Sequence, residues 1–245
     1  TGGNCNTNPA GCTFTVYAHS NTVLYRIDFT SNTLVTVGPF NVMDTMTDLA
    51  VAPNNTIYTV SKMNLYTASP TDGHATLVSS ISTCGMDNVA LSTTPDNKLW
   101  VGDGAGSFCE IDTNVTPPTV KPIGKLGGTM ALAGDLVGIS DGTLYGTALD
   151  TANTATAKNN ILVTIDPTTG KIVKQIGSPG FPQLYGIAYA QGKVFGFTHD
   201  STGHVITIDP MTGVGTLYNT FKDPTTNQPI SFSGAGVNSE VPPIQ

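Results

Sequence analysis

The chain has 245 residues, of which 39% are hydrophobic and only 11% charged, and it carries a net charge of −7. A chain this long buries a sizeable core, and an all-β fold of this size forms one domain. No Lys/Arg cluster supplies the concentrated positive charge that a phosphate backbone needs, which argues against nucleic acid and anionic membrane surfaces as partners. No apolar run reaches the length of a membrane span, so no membrane insertion is expected.

The chain begins at Thr1 without Met, as it would after a leader was removed or the chain trimmed. Four cysteines, Cys5, Cys12, Cys84 and Cys109, form an even set in a chain rich in hydroxyls. They predict two disulfides, Cys5–Cys12 closing a small N-terminal loop and Cys84–Cys109 stapling one blade, and hence an oxidising compartment, extracellular or periplasmic. The alternative is a cytosolic protein with free thiols. No CxxC pair is present, so the cysteines do not read as a zinc site.

Four-strand units follow, with strands a to d running from the inside out. The first unit begins at strand b: FTVYAHS from Phe14, then LYRIDFTSN from Leu24 and LVTVGPF from Leu34. The second reads DLAVAP from Asp48, IYTVSK from Ile57, LYTASPTDG from Leu65 and ATLVSSIS from Ala75. The third is NVALST from Asn88, LWVGDG from Leu99, FCEIDTNVT from Phe108 and TVKPIGKL from Thr119. The fourth has DLVGIS from Asp135, LYGTAL from Leu144, an insertion over Asp150–Asn160, LVTIDPTTG from Leu162 and IVKQIGS from Ile172. The fifth has GIAYAQ from Gly186, VFGFTH from Val194, VITIDPMTG from Val205 and VGTLYNTF from Val214.

Strand c recurs at spacings of 41, 43, 54 and 43 residues, a blade-length period. The Asp-Pro-Thr-Gly segments are c–d hairpin turns, in which Pro presets φ, Gly takes the left-handed position and Asp caps locally. Asp28, Asp112, Asp166 and Asp209 are turn residues of this kind. Small Ala and Gly side chains suit an inner strand crowded around a channel. The strand a missing from the first unit returns as SGAGVNS from Ser233, after the connection Lys222–Ser231. One blade shared between the termini closes the ring and removes exposed sheet edges.

The expected fold is therefore all-β: a five-bladed β-propeller of four-stranded antiparallel blades, closed by the C-terminal strand (about 232–239) joining the N-terminal blade. The whole chain, 1–245, is one domain, with a disulfide loop over 1–12, blades over 13–239 and a tail over 240–245. The unit DLAVAPNNTIYTVSKMNLYTASPTDGHATLV resembles that of extracellular β-propeller repeat proteins, and the resemblance runs from about Cys12 to Glu240. The Trp-Asp and Gly-His signature of WD-type propellers is missing. Five blades also occur in lectins resembling tachylectin and in some glycan hydrolases, but no residue motif ties this chain to either. The resemblance implies that the b–c and d–a connections emerge on one face, the top, where ligands bind. Such a fold hosts many functions, so function must be argued from the site.

The two long insertions, Asp150–Asn160 and Lys222–Ser231, both fall on that face, above blades 4, 5 and 1. His19 and His199 end strand b of blades one and five, at positions read as equivalent, where the other blades have Lys62, Gly104 and Leu149. With Asp200 they are candidates to hold a transition metal or to hydrogen-bond a sugar or carboxylate. The alternative is strand-end histidines bonded to loop backbone. His74 and His204 sit in turns and read as surface residues.

Asp48 and Asp135 enter strand a of their blades, with Asp87 beside the blade-three counterpart Asn88. A carboxylate ring at the channel mouth is a candidate Ca²⁺ site, or else a set of backbone caps. Tyr58, Trp100, Tyr145 and Phe195 recur in strand b and read as inter-blade packing. Tyr17, Tyr185 and Tyr189 are instead candidates for stacking on a ligand.

Chemistry is poorly represented. The only Glu residues are Glu110 and Glu240, which make no acid/base pair, and there is no G-x-S-x-G, H-E-x-x-H or phosphate loop. Asn54 and Asn114 lie in N-x-T sequons. The leading expectation is a secreted or cell-surface binding module that recognises a glycan or extracellular protein through the top face over blades 4, 5 and 1. A metal-assisted hydrolase or lyase using His19, His199 and a nearby Asp is the second. A structural subunit of an extracellular matrix or filament is the third.

Overall fold

The computed structural model describes residues 15–153, 160–190 and 192–238. Five four-stranded antiparallel sheets form the blades. Blade one holds β1 (Thr15–His19), β2 (Val23–Asp28) and β3 (Thr33–Pro39), with β20 (Gly234–Gly236) innermost. Blade two runs β4 (Asp48–Val51), β5 (Ile57–Val60), β6 (Asn64–Ala68) and β7 (Ala75–Ser80). Blade three runs β8 (Asn88–Thr93), β9 (Leu99–Asp103), β10 (Ser107–Asp112) and β11 (Thr119–Lys125). Blade four runs β12 (Met130–Gly138), β13 (Leu144–Asp150), β14 (Ile161–Ile165) and β15 (Ile172–Gly177). Blade five runs β16 (Leu184–Ala190), β17 (Lys193–Thr198), β18 (His204–Ile208) and β19 (Gly215–Thr220). The five-bladed ring expected from the repeat is present, and β20 pairs with β1 through Tyr17–Gly236, Ala18–Ala235 and His19–Gly234. The N-terminal loop with Cys5 and Cys12, the start of the first strand at Phe14 and the tail after Asn238 lie outside the described residues.

The hairpins follow from their residues. Asp166 takes the Thr168 amide at 2.8 Å, Asp209 the Met211 amide at 2.7 Å and Asp28 the Thr30 amide at 2.7 Å. Each carboxylate thereby caps a turn that the outer strand then leaves.

Adjacent blades lock together at one recurring position. Opposite Leu24, Phe108 and Leu162 of strand c, the outer strands carry Gly38, Gly124 and Gly177. A Cβ on these would stand 2.0 Å from the Asp72 carbonyl oxygen, 2.3 Å from that of Thr169 and 2.2 Å from that of Thr212. Only glycine lets the c–d hairpin of the next blade approach so closely. The two remaining blades have Ser79 and Asn219 at this position. Between blades five and one, Asn219 donates to Asn32 at 3.0 Å. Between blades two and three, the Cys84–Cys109 disulfide ties the incoming connection to β10, as expected from the cysteine count.

The core lies between blades. Tyr58, Trp100, Tyr145 and Phe195 pair across the sheet with Ala50, Ser92, Val137 and Ala188, and Tyr17 holds the fifth such place opposite Gly236. Tyr17 packs against the cluster of Leu24, Phe40, Met46 and Leu49, so it is the fifth inter-blade aromatic and not a top-face stacking residue. Phe29 stacks on Phe195 with centroids 4.1 Å apart, joining blades one and five across the closure. The buried rings, Trp100, Phe195 and Phe29, each contribute about 2–3 kcal/mol of apolar burial.

Candidate functional site: an axial pocket over a carboxyl pair

The inner strands converge on the ring axis in a repeating register. Leu49, Leu91, Leu136, Ile187 and Ala235 lie opposite Thr59, Val101, Gly146, Gly196 and Ala18 of their strands b. Their five amides, one per blade, all donate to two carboxyl groups. Asp48 Oδ1 accepts from Leu49 at 2.8 Å and Oδ2 from Leu91 at 2.5 Å. Asp135 Oδ1 accepts from Leu136 at 2.6 Å, and Oδ2 from Ile187 at 2.6 Å and Ala235 at 3.2 Å.

Both carboxyls are fully buried and hydrogen-bond each other. Burial first, then the charge and hydrogen bond of Asp135, hold Asp48 well above the usual carboxylate range. Burial also raises Asp135, against the opposing hydrogen bonds of Asp48 and the amides of Ile187, Ala235 and Leu136. The two titrate as one unit, and the mutual hydrogen bond requires one shared proton.

This geometry revises the calcium expectation. All four carboxyl oxygens face N–H donors, whose positive ends repel a cation and occupy the lone pairs that it would need. Asp87 is not part of the pair: it is exposed and bound to Lys62 at 2.9 Å. Bulges in β8, β12 and β16 shift the repeat count, so the blade-three residue equivalent to Asp48 is Ala90 rather than Asn88.

One residue nearer the top, Thr47, Val89, Gly134, Tyr185 and Ser233 wall a pocket of about 210 Å³. Every blade contributes, and the axial carboxyl layer lies one residue below it. Gly134 is needed where β12 crosses β16, since a Cβ there would stand 2.6 Å from Tyr185 Cα. His199 and Asn21 line the same pocket, with Lys62 and Asp87 at its edge. The expected sector over blades 4, 5 and 1 thus supplies only part of a pocket centred on the axis.

His199 stacks on Tyr185 with centroids 4.9 Å apart and planes 24° apart. Its Nδ1 lies 3.0 Å from the Phe232 carbonyl, which can only accept, so Nδ1 carries a hydrogen and donates. Ser233 Oγ, 3.3 Å from His199 Nδ1, donates to Asn21 Oδ1.

His19 stands apart from this wall. Register places it level with Phe197, two residues before His199, so the two histidines are not equivalent. Its ring is fully buried, edge-on to Phe40, with Nδ1 donating to the Ser20 carbonyl at 2.7 Å. Nε2 has no hydrogen-bond partner among the described residues. Burial pushes the ring down to about 4, against the Ser20 hydrogen bond that raises it and with His199 lowering it further. His19 Nε2 and Asp48 Oδ1 lie 2.5 and 2.3 Å from the Cβ position of Gly234, which therefore has to be glycine.

Asp200 accepts from the hydroxyls of Thr198 at 2.7 Å and Thr202 at 2.5 Å. Burial raises its carboxyl, but these bonds outweigh it and hold the group below the usual range. Asp200 thus caps its own turn, and the two histidines and Asp200 do not converge on one point. No cluster of three or more His, Cys, Asp or Glu with metal-ligating geometry occurs among the described residues. Tyr189 is fully buried in the hydrophobic core that includes blade five, so its ring has no open face for stacking on a ligand.

Residues 154–159 of the blade-four insertion lie outside the described residues. Its last residue, Asn160, accepts the Leu184 amide at 3.0 Å at the start of β16. The other insertion closes on itself, with Asp223 capping Thr225 and Thr226 and accepting from Tyr25 Oη at 2.8 Å.

No family model and no curated protein matches the sequence. Among solved structures the chain is similar to one from the crystal structure of a nidogen/laminin complex, with a TM-score of 0.64. The two are 14% identical over 94% of this chain and 100% of that chain. At this identity the likeness carries the propeller fold alone.

Proposed function

We propose that the protein is a secreted or cell-surface binding module that takes a group of a protein ligand into the axial pocket of its top face. The observation that carries this reading is the pocket itself. All five blades wall it, it sits on a rigid ring, and it offers a stacked Tyr185–His199 pair. A preformed concave site with few polar groups is the usual form of a recognition site. About 210 Å³ suits a single side chain or one sugar ring rather than an extended ligand. The Cys84–Cys109 disulfide favours an oxidising compartment, and the solved chain of like fold belongs to a complex between proteins.

The test is to pan a displayed random-peptide library, and in parallel a glycan array, against the protein and its Tyr185→Ala variant. The reading expects peptides that enrich on the protein and lose binding to Tyr185→Ala at unchanged Tm. Hits confined to the glycan array, or peptides indifferent to Tyr185→Ala, would count against it.

A further inference from the structure

Three exposed methionines lie on neighbouring connections of the top face around blade two. Met43 is 103% exposed, Met86 68% and Met63 42%, which makes three of the chain's six methionines. Hydrogen bonds place them around one turn. Asp44, next to Met43, accepts from Ser61 at 2.7 Å and Asn64 at 2.9 Å, the two ends of the turn that holds Met63. On its far side, the Asn88 side chain donates to the Lys62 carbonyl at 2.7 Å and the Gly85 carbonyl at 3.0 Å. Asp87, next to Met86, pairs with Lys62. The cluster therefore borders the axial pocket, which Lys62 and Asp87 also line.

This patch differs from the other exposed apolar side chains. Val35, Leu77, Val173 and Leu217 lie on the outer strands of separate blades, as isolated surface residues do. Three unbranched thioethers gathered at one rim form a deformable apolar surface, the kind used to grip apolar side chains of a partner. The nearby charge selects the partner. Hydrogen bonds from Asn64, Ser61 and Tyr66 hold the Asp44 carboxyl below the usual range, so it stays anionic beside Met43. Lys62 is already paired with Asp87, and the chain as a whole carries −7.

We infer that the blade-two rim docks a basic amphipathic segment of another protein, its apolar side chains on Met43, Met63 and Met86 and its cations facing Asp44. The inference rests on the binding-module reading and names the chemistry of the partner. Association is steered by charge, so it weakens as salt rises.

The six methionine ε-methyls give a direct test by ¹³C NMR of the whole chain. The probe is a synthetic Leu/Lys amphipathic peptide, with a Leu/Glu peptide of the same pattern as comparison. The Lys peptide should shift Met43, Met63 and Met86 saturably and leave Met211 unmoved. Met211 is 75% exposed but sits on the c–d hairpin of blade five, so it reports unspecific contact. Met43→Gln alone, at a fully exposed site, should weaken the peptide roughly tenfold. Equal shifts at Met211, an equal response to the Glu peptide or no shift at all would overturn the inference. A peptide from the library that still depends on Tyr185 would then leave the pocket reading intact and remove only the methionine rim.

Discussion

Stability should vary with pH in a way set by two buried groups on the axis. His19 is held down to about 4, against about 6.5 for an unfolded histidine. The folded state therefore binds less proton than the unfolded state between those values, and His19 stabilises less and less as pH falls through that window. Asp48 and Asp135 are raised together, so the folded state keeps a proton that the unfolded chain loses near pH 4. Their contribution is fully present below that point and is lost as pH rises toward the folded value. Each proton so moved gives a slope of about 1.4 kcal/mol per pH unit, and the histidine and the carboxyl pair act with opposite sign.

The two trends should accordingly oppose each other between about pH 4.5 and 6, and above about 6.5 only the falling trend of the carboxyl pair remains. Asp48→Asn removes one of the two raised carboxyls, though Asp135 stays buried, and should weaken the falling trend so that the rising His19 limb, about 3 kcal/mol across its window, shows more fully. His19→Gln should leave the opposite, falling limb. Truncation ranks the carboxyls, because each stranded amide costs about 1–3 kcal/mol. Asp135→Ala strands three amides, roughly 3–9 kcal/mol, and Asp48→Ala strands two, roughly 2–6 kcal/mol. Urea unfolding followed by circular dichroism at pH 4.5 to 9 reads all of this. An unchanged pH profile for Asp48→Asn, or a larger cost for Asp48→Ala than for Asp135→Ala, would contradict these roles for the two carboxyls.

Replacing Cys84 and Cys109 by Ser opens a loop with a sequence separation of 25 and should cost about 3.5 kcal/mol, seen as a lower urea midpoint. A reductant should then lower the midpoint of the unaltered protein and change the variant far less. Gly177→Ala should cost about 1–3 kcal/mol, because its Cβ would meet the Thr212 carbonyl at the blade four–five contact. Tyr66→Phe removes the 2.7 Å bond to Asp44 and should raise the Asp44 carboxyl toward the ordinary range, as read by NMR titration.

What the sequence made legible was the local chemistry. Hairpin Asp residues, small inner-strand residues and the strand displaced to the C-terminus recur in the chain at a fixed period, because each blade must solve the same packing problem. What it hid was whatever depends on counting through a bulge. No residue type marks the irregular pairing in β8, β12 and β16. Asn88, which lies beyond the β8 bulge from Ala90, reads as the match of Asp48, and His19, which ends its strand at the level of Phe197, reads as the match of His199.

Tyr17 was misread for a related reason, since its blade has no preceding strand a in the chain from which to count. The five amides meeting at Asp48 and Asp135 could not be seen at all. Backbone groups carry no sequence signal, and their convergence is a property of the closed ring. The methionine rim is likewise three single residues in three separate connections, joined only by the fold.

Whether ligands engage the top face is read by hydrogen exchange with and without a peptide from the library. Protection should appear in the b–c and d–a connections around the pocket, at 20–22, 40–47, 61–64, 81–87 and 199–203. Protection confined to the c–d hairpins, 69–74, 166–171 and 209–214, would contradict it.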